Sequence, residues 1–471
     1  MNRSRSTSFR LRPTVLGLSL LLAAGVAGAQ VFSQPDTDFK GSVRATTQVV
    51  LPGTQTGIEG NGFKPGQQVT LLRGETVLNA QPYVVDAEGK FTGQLAIPAD
   101  AAAGVQPVVV RTSGPDAASI FELKVSKEIP LSGQNLFDTR TQKLVQGLYQ
   151  VAYSARSNAV FVTSAVGRPP VSQSELLKLD PKTLRVVARV NPGAAPAPEA
   201  RPGQPPREGG LYAVYGVGVD DTNGNVWVTN TRQDTVAVYR QSDLSLVKQY
   251  PVGAVPHARD VVIDAEHNRA YVSATGETFI SVFDSKTLQQ LPNIEIQSGK
   301  RGEKFTPTSL DIDPATGKVY TVSLSTPEAA VIDGIAGTVE KVYPLANARS
   351  AIGVAWNPVA KRLLVVSQGS DNLLITDPET GKVEHDVYVG AGALNVSYEP
   401  SSRLAYISNR GAGTVTVVDE AGKIVGNLDG GTFPNHVSKG PNGVMFAVNK
   451  SRGADDAKGD RITRITAKKA R

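Results

Sequence analysis

Between Phe161 and Phe446 an aromatic or large apolar residue returns seven times inside a short strand-like run: Phe161, Trp227, Tyr271, Tyr320, Leu364, Tyr406 and Phe446. The first six lie seven positions after Ser154, Asp220, Asp264, Asp313, Asn357 and Glu399, and the last lies six after Gly440. Steps of 66, 44, 49, 44, 42 and 40 residues separate them, the spacing of an array in which each repeat is one four-stranded antiparallel sheet. The expected architecture is therefore all-β, a seven-bladed β-propeller over residues 128–471.

One repeat shows the local chemistry. Residues 211–253 read YAVYGVGVD, NVWVTN, TVAVYR and LSLVKQYPV, four runs rich in β-branched and aromatic side chains that suit a pleated surface. Asp221-Thr222-Asn223-Gly224 between the first two supplies residues that tolerate a tight hairpin. Apolar residues alternate at a period of two, which excludes amphipathic helices. The final repeat has room for only three strands, so an N-terminal segment should complete it and cover the open edge. The run KEIPLSGQNLF, residues 127–137, is the expected donor. Residues 191–210, with six prolines, read as a surface loop inserted between the first two blades.

Ahead of the repeats, residues 44–127 contain short alternating runs split by Gly, Pro and Asn, spaced as in a small Ig-like β-sandwich. Residues 30–43 read as a linker. Residues 1–29 carry Arg3, Arg5, Arg10 and Arg12, then VLGLSLLLAAGVAGA, then Ala27-Gly28-Ala29. That is the pattern of a signal peptide cleaved near Ala29 rather than a membrane span, so a periplasmic or secreted location is expected. The chain has no cysteine, which excludes disulfides and thiolate metal ligands. The net charge of +6 falls to about +2 once the four leader arginines are set aside, too little for a strongly basic nucleic-acid footprint.

Aligned by their turns, the units place Tyr149, Tyr215, Arg259, Thr308, Ile352, Leu394 and Asn435 at one position of the innermost strands. Strands converge there on a funnel. With their neighbours, the candidate ligand-binding residues are His257, Arg259, Asp260, Arg349, Asn435, His436, Tyr149 and Tyr215. Arginines and histidines at such an entrance suit an anion or carboxylate, and histidines titrating near about 6.5 would make binding strengthen as pH falls through that range. Arg232 and Arg410, just beyond the strand-ending Asn230 and Asn409, are placed to reach the same mouth. The four histidines, His257, His267, His385 and His436, lack metal-ligand spacing, so neither a metal nor another cofactor is expected. No Gly-x-Ser-x-Gly elbow occurs.

The stretches at 225–264 (NVWVTNTRQDTVAVYRQ onward) and 404–443 (LAYISNRGAGTVTVVDE onward) resemble the YVTN β-propeller repeat. GLYQVAYSARSNAVFVTS and the closing FPNHVSKGPNGVMFAVNKSRGADDAKGDRITRI are similar to the two ends of YncE-like periplasmic seven-bladed propellers. The resemblance covers about residues 128–467. It implies a non-enzymatic periplasmic binding protein and keeps single-stranded DNA open as a ligand. Three classes of function stand side by side. The leading one is a scaffold or binding protein for a protein, peptide or small anionic ligand. The others are a propeller lactonase, with His257 or His436 as base beside Arg259, and a single-stranded DNA binder.

Overall fold

The structure is a computed structural model, and it describes residues 38–197 and 208–468. The signal-peptide reading, and the centre of the proline-rich 191–210 segment, lie outside the described residues. Its flanks pair with each other and with the first repeat, through Ala195 N–H to Gly210 O (2.8 Å) and Leu211 N–H to Val171 O (2.7 Å).

The described residues contain no α-helix. From the first repeat onward they form seven four-stranded antiparallel sheets. The first strands of these sheets are Leu148–Ser154, Val217–Asp220, Ala258–Asp264, Pro307–Asp313, Ala351–Asn357, Ala393–Glu399 and Pro434–Lys439. Each packs against the first strand of the next sheet, and the last packs against the first, which closes the ring. The result is an all-β, propeller-like body.

The recurring large residues explain the repeat. Each lies on the second strand of its sheet and is buried in the seam to the following sheet. Phe161 sits with Val226 and Val228, Trp227 with Val272 and Phe283, Tyr271 with Phe305 and Val319. Tyr320 sits with Val354 and Leu363, Leu364 with Val396 and Ile407, Tyr406 with Val437 and Met445. Phe446 then packs on Leu148 and Val160 of the first sheet. One side chain per sheet thus supplies much of the apolar area holding it to its neighbour, worth about 1.5–3 kcal/mol for each side chain removed from water. The turn residues seven positions earlier also have a common task. Asp220, Asp264, Asp313 and Asn357 accept backbone N–H groups of the turns that follow, from Asn223 (3.0 Å), His267 (3.1 Å), Ala315 (3.2 Å) and Val359 (2.9 Å). Short polar side chains bonding their own turn make the hairpin locally stable. His267 belongs to such a turn, its Nδ1 2.8 Å from Asp264 Oδ2.

The N-terminal part has eight strands: β1 (Ser42–Ala45), β2 (Gln55–Asn61), β3 (Gln68–Arg73), β4 (Thr76–Val77), β5 (Tyr83–Val84), β6 (Phe91–Ala96), β7 (Gly104–Ser113) and β8 (Ala117–Val125). They form two sheets, β1-β2-β6 and β4-β3-β7-β8, with β5 also paired to β3. A separate core that includes Ile58, Phe63, Leu71, Phe91, Val110 and Phe121 lies between them. The fourth strand of the seventh sheet is β9 (Phe137–Lys143), antiparallel to Arg461–Ala467. This corrects the expected donor, residues 127–137. Most of that run has no strand pairing; Ser132 instead bridges Asn427 on the sixth sheet. The alternating, largely exposed FDTRTQK pattern suits an outer edge, where one apolar anchor, Phe137, is enough.

The two parts meet through polar anchors. Asp371, buried at the start of the fifth sheet's third strand, accepts from Lys124 Nζ, from Ser126 Oγ (2.7 Å) and from Gly392 N–H (2.7 Å). Tyr388 Oη accepts Lys127 N–H (2.6 Å) and donates to Lys127 O (2.9 Å).

Candidate functional site at the mouth of the ring

Six of the seven first strands carry a bulge near their entrance; that of the second sheet pairs in regular register. Register shifts fall between Leu148 and Val151, Ala258 and Val261, Pro307 and Leu310, Ala351 and Gly353, Ala393 and Asn395, and Pro434 and His436. A bulge breaks the strict alternation of side chains. Two consecutive residues of a strand can then both serve the central axis, in two layers.

A cavity of about 250 Å³ is lined by the outer layer, including Tyr149, Tyr215, His257, Arg259, Ile352, Gln368, Leu394, Arg410 and Asn435, and also by Gln150, Asn395 and His436 of the inner layer. Six of the sequence candidates are therefore brought together: Tyr149, Tyr215, His257, Arg259, Asn435 and His436. Tyr149 and Tyr215 meet edge to face, 4.2 Å between centroids. Lys450 Nζ sits 3.9 Å over the Tyr149 ring. Arg232 Nε donates to Tyr215 Oη (3.2 Å), and Arg410 donates to Asn435 Oδ1 (2.6 Å), whose amide donates to Tyr149 O (2.7 Å). Arg259 Nε is buried with no hydrogen-bond partner.

The electrostatics are one-sided. Burial lowers the pKa of Arg259 and of Arg410 from the usual arginine value. Burial, reinforced by Arg410, brings Lys450 down to about 8. His257 is lowered by burial, which with Arg232 and Arg259 outweighs the opposing pull of Asp234.

The inner layer ties the ring. Gln150 Oε1 accepts Val217 N–H (2.9 Å), Asp260 Oδ2 accepts Leu310 N–H (3.1 Å), and Asn395 Oδ1 accepts Val437 N–H (2.8 Å). His436 Nδ1 faces Val151 N–H (3.4 Å). In each case a side chain of one sheet caps a backbone donor of the next. Asp311 does the same two residues further along its strand, for Trp356 N–H (2.7 Å). At the equivalent positions of the second and fifth sheets stand Gly216 and Gly353, where an added Cβ would collide with Arg259 O or Leu394 O. There the strands approach too closely for a side chain.

Two expectations are corrected. Arg349 is not at the funnel: it lies in the connection ahead of its strand and pairs with Glu122 of β8. Protonation of His436 does not govern the mouth near neutral pH, because burial, aided by the charge of Arg259, lowers it to about 3. With Nδ1 accepting, the remaining proton of the neutral ring resides on Nε2. Asp260 belongs to the inner layer, held by Gln150 (3.2 Å) and two backbone N–H groups; burial raises its pKa.

Sequence reasoning did not single out Gln368 or Lys450. Both, like Arg410 and Thr231, immediately follow the Ser or Asn that ends a second strand: Ser367, Asn449, Asn409 and Asn230. The repeated polar position pointed to the strand end, and its successor is the residue that reaches the mouth. Among the described residues no group of three His, Cys, Asp or Glu side chains is placed to hold a metal, and no helix is long and apolar enough to cross a membrane.

Ring, seams and central cavity define a protein of the β-propeller class. The profile of a domain of unknown function (DUF4394) matches residues 279–418, from the third sheet into the sixth. Two Salmonella proteins described as uncharacterized protein YncE are similar: that of Salmonella typhi is 23% identical over 316 residues, covering 64% of this chain and 82% of its own. That of Salmonella typhimurium is 22% identical over the same length. Among solved structures, a streptogramin B lyase superposes with a TM-score of 0.53 at 12% identity, covering 72% of this chain and all of its own. Hydrazine synthase of Kuenenia stuttgartiensis superposes at 0.51 and 17% identity, over 65% of this chain and 94% of its own. At these identities the structural likeness is one of fold.

Proposed function

We propose that this chain is an exported, non-enzymatic binding protein: a seven-bladed, YncE-like propeller, with an Ig-like module in front, that holds a small carboxylate-bearing anion in its funnel. The leader-like residues 1–29 support export to the periplasm. The observation that carries the ligand class is Arg259, a half-buried side chain whose Nε is buried with no acceptor, in a mouth shared with Arg410 and flanked by Lys450. Buried cations without acceptors are costly, and a bound carboxylate relieves that cost through charge-assisted hydrogen bonds. Binding is favoured over hydrolysis with His436 as base because its Nδ1 already accepts a backbone N–H and its other ring nitrogen carries the proton. It serves as a fixed Nε2–H donor, not as a base.

The test is a thermal-shift and calorimetric panel of acetate, succinate, citrate and inorganic phosphate against the full-length mature chain at low salt. Di- and tricarboxylates should raise Tm and give saturable heats, both lost in Arg259→Ala. No saturable binding by any member at millimolar concentration would overturn the reading.

A further inference from the structure

The funnel does not end at its rim. Arg410 and Gln368 also line a second cavity of about 750 Å³, between the propeller-like ring and the N-terminal unit. On the ring side its wall includes Ala391, Gly392 and Gly411; on the other side it is built from β1 and from Ser119–Lys124 of β8. By itself the funnel falls below the roughly 300–1,000 Å³ usual for a ligand pocket. With the cleft of about 750 Å³ it reaches the upper end of that range. The cleft is held open, because Lys124 and Ser126 are fixed on buried Asp371 and Glu122 on Arg349.

Two features of the cleft select its occupant. First, β1 and β8 stand at sheet edges; on its open side β8 is bridged to Val50 only at Val125 and bonded by Ser119 Oγ to Gly41 O (3.3 Å), which leaves Ile120–Lys124 without a ladder partner there. Ile120, in the stretch of β8 facing the cleft, is 59% exposed. An unpaired strand edge offers backbone donors and acceptors to an extended chain. The six residues Ser119–Lys124 span about 20 Å at the rise of a strand, room for five or six residues. Second, the cations of the cleft wall are already neutralised, Arg44 by Glu59 (2.6 Å) and Lys124 by Asp371. The uncompensated positive charge lies at the funnel end. That distribution fits a chain with a single anionic terminus, not a polyanion, which needs cations along its whole track.

Resting on the funnel's reading as a carboxylate site, we infer that the ligand is an extended peptide with a free C-terminus, its carboxylate among the funnel cations and its preceding residues laid along the edge of β8. The N-terminal unit is then half of the binding site.

The probe is a random hexapeptide library with free C-termini, passed over the immobilised mature chain beside the same library C-terminally amidated and beside oligo-dT. Free-carboxylate peptides should be retained at least tenfold more than amidated ones. Ile120→Asp, at an exposed position outside the core, should cut that retention tenfold or more while leaving succinate and citrate binding at the funnel unchanged. Arg259→Ala should reduce both. If the small carboxylates bind but peptides are not retained, or are retained equally by Ile120→Asp, the cleft inference is overturned and the funnel reading stands. Should neither class bind, the funnel reading fails and takes the inference with it. Retention of oligo-dT in place of peptides, sensitive to Ile120→Asp, would assign the cleft to nucleic acid and contradict the proposal.

Discussion

Gln150, Asp260, Asn395 and His436 stand one residue after Tyr149, Arg259, Leu394 and Asn435, yet the two sets do opposite work. The later residues are satisfied: each accepts from the neighbouring strand. All but Asp260 border the open mouth, and among the earlier ones the buried Arg259 Nε is left without a partner. In a regular strand consecutive side chains point to opposite faces, and only the entrance bulges let both layers address the axis. Polarity alone does not mark a functional residue in such a ring; an unmet hydrogen-bonding demand does.

Acid should break the inner layer first, with the largest effect. His436 has its folded pKa lowered to about 3 from an ordinary 6.5. Its contribution to stability is therefore fully present above pH 6.5 and is lost as pH falls from there towards 3, at up to about 1.4 kcal/mol per unit. Asp260, raised by burial, works in the opposite sense and offsets part of the loss. Urea unfolding between pH 7 and 4 should show the decline, and His436→Gln should flatten it. Next, Asp260→Ala should cost on the order of 3 kcal/mol of unfolding free energy, because it strands the Leu310 N–H and the Gln150 amide. Chemical denaturation reads this directly.

Mouth variants should behave the other way. Arg259→Ala should weaken carboxylate binding by about 1.5–3 kcal/mol, with Tm unchanged or slightly higher, since a buried Nε–H lacking an acceptor is removed. The smallest effect belongs to Lys450. As it loses its proton above about pH 8, carboxylate affinity should fall severalfold between pH 7 and 9, where the carboxylates themselves are fully ionised. Lys450→Met should abolish that slope in calorimetric titrations.

The all-β, propeller-like body was legible in the sequence because one physical need, a large side chain for each seam, recurs with a turn-bracing residue at a fixed offset. The closing strand was placed ten residues early because Phe137–Lys143 is an outer edge with a single buried residue, where hydrophobicity gives no signal. At the site, turn alignment found Tyr149, Tyr215, Arg259 and Asn435 because they share a strand position. It misassigned Arg349, since a charge ahead of the bulge reads the same whether it faces the axis or a neighbouring unit. It could not show that Asp260 and His436 tie the ring, because their partners are backbone N–H groups of the next sheet, about 50 residues away for Asp260 and 285 for His436. Lys450 and Gln368 escaped because they follow the strand ends, where side-chain direction depends on the turn.

The division of labour between mouth and ring ties is tested most directly by measuring carboxylate affinity and unfolding free energy together for Arg259→Ala and Asp311→Ala in one buffer. Arg259→Ala should lose binding and keep stability, while Asp311→Ala, which strands the Trp356 N–H away from the mouth, should lose about 1–3 kcal/mol of stability and keep its binding. Equal losses of binding in both variants, with stability untouched in Asp311→Ala, would contradict the account.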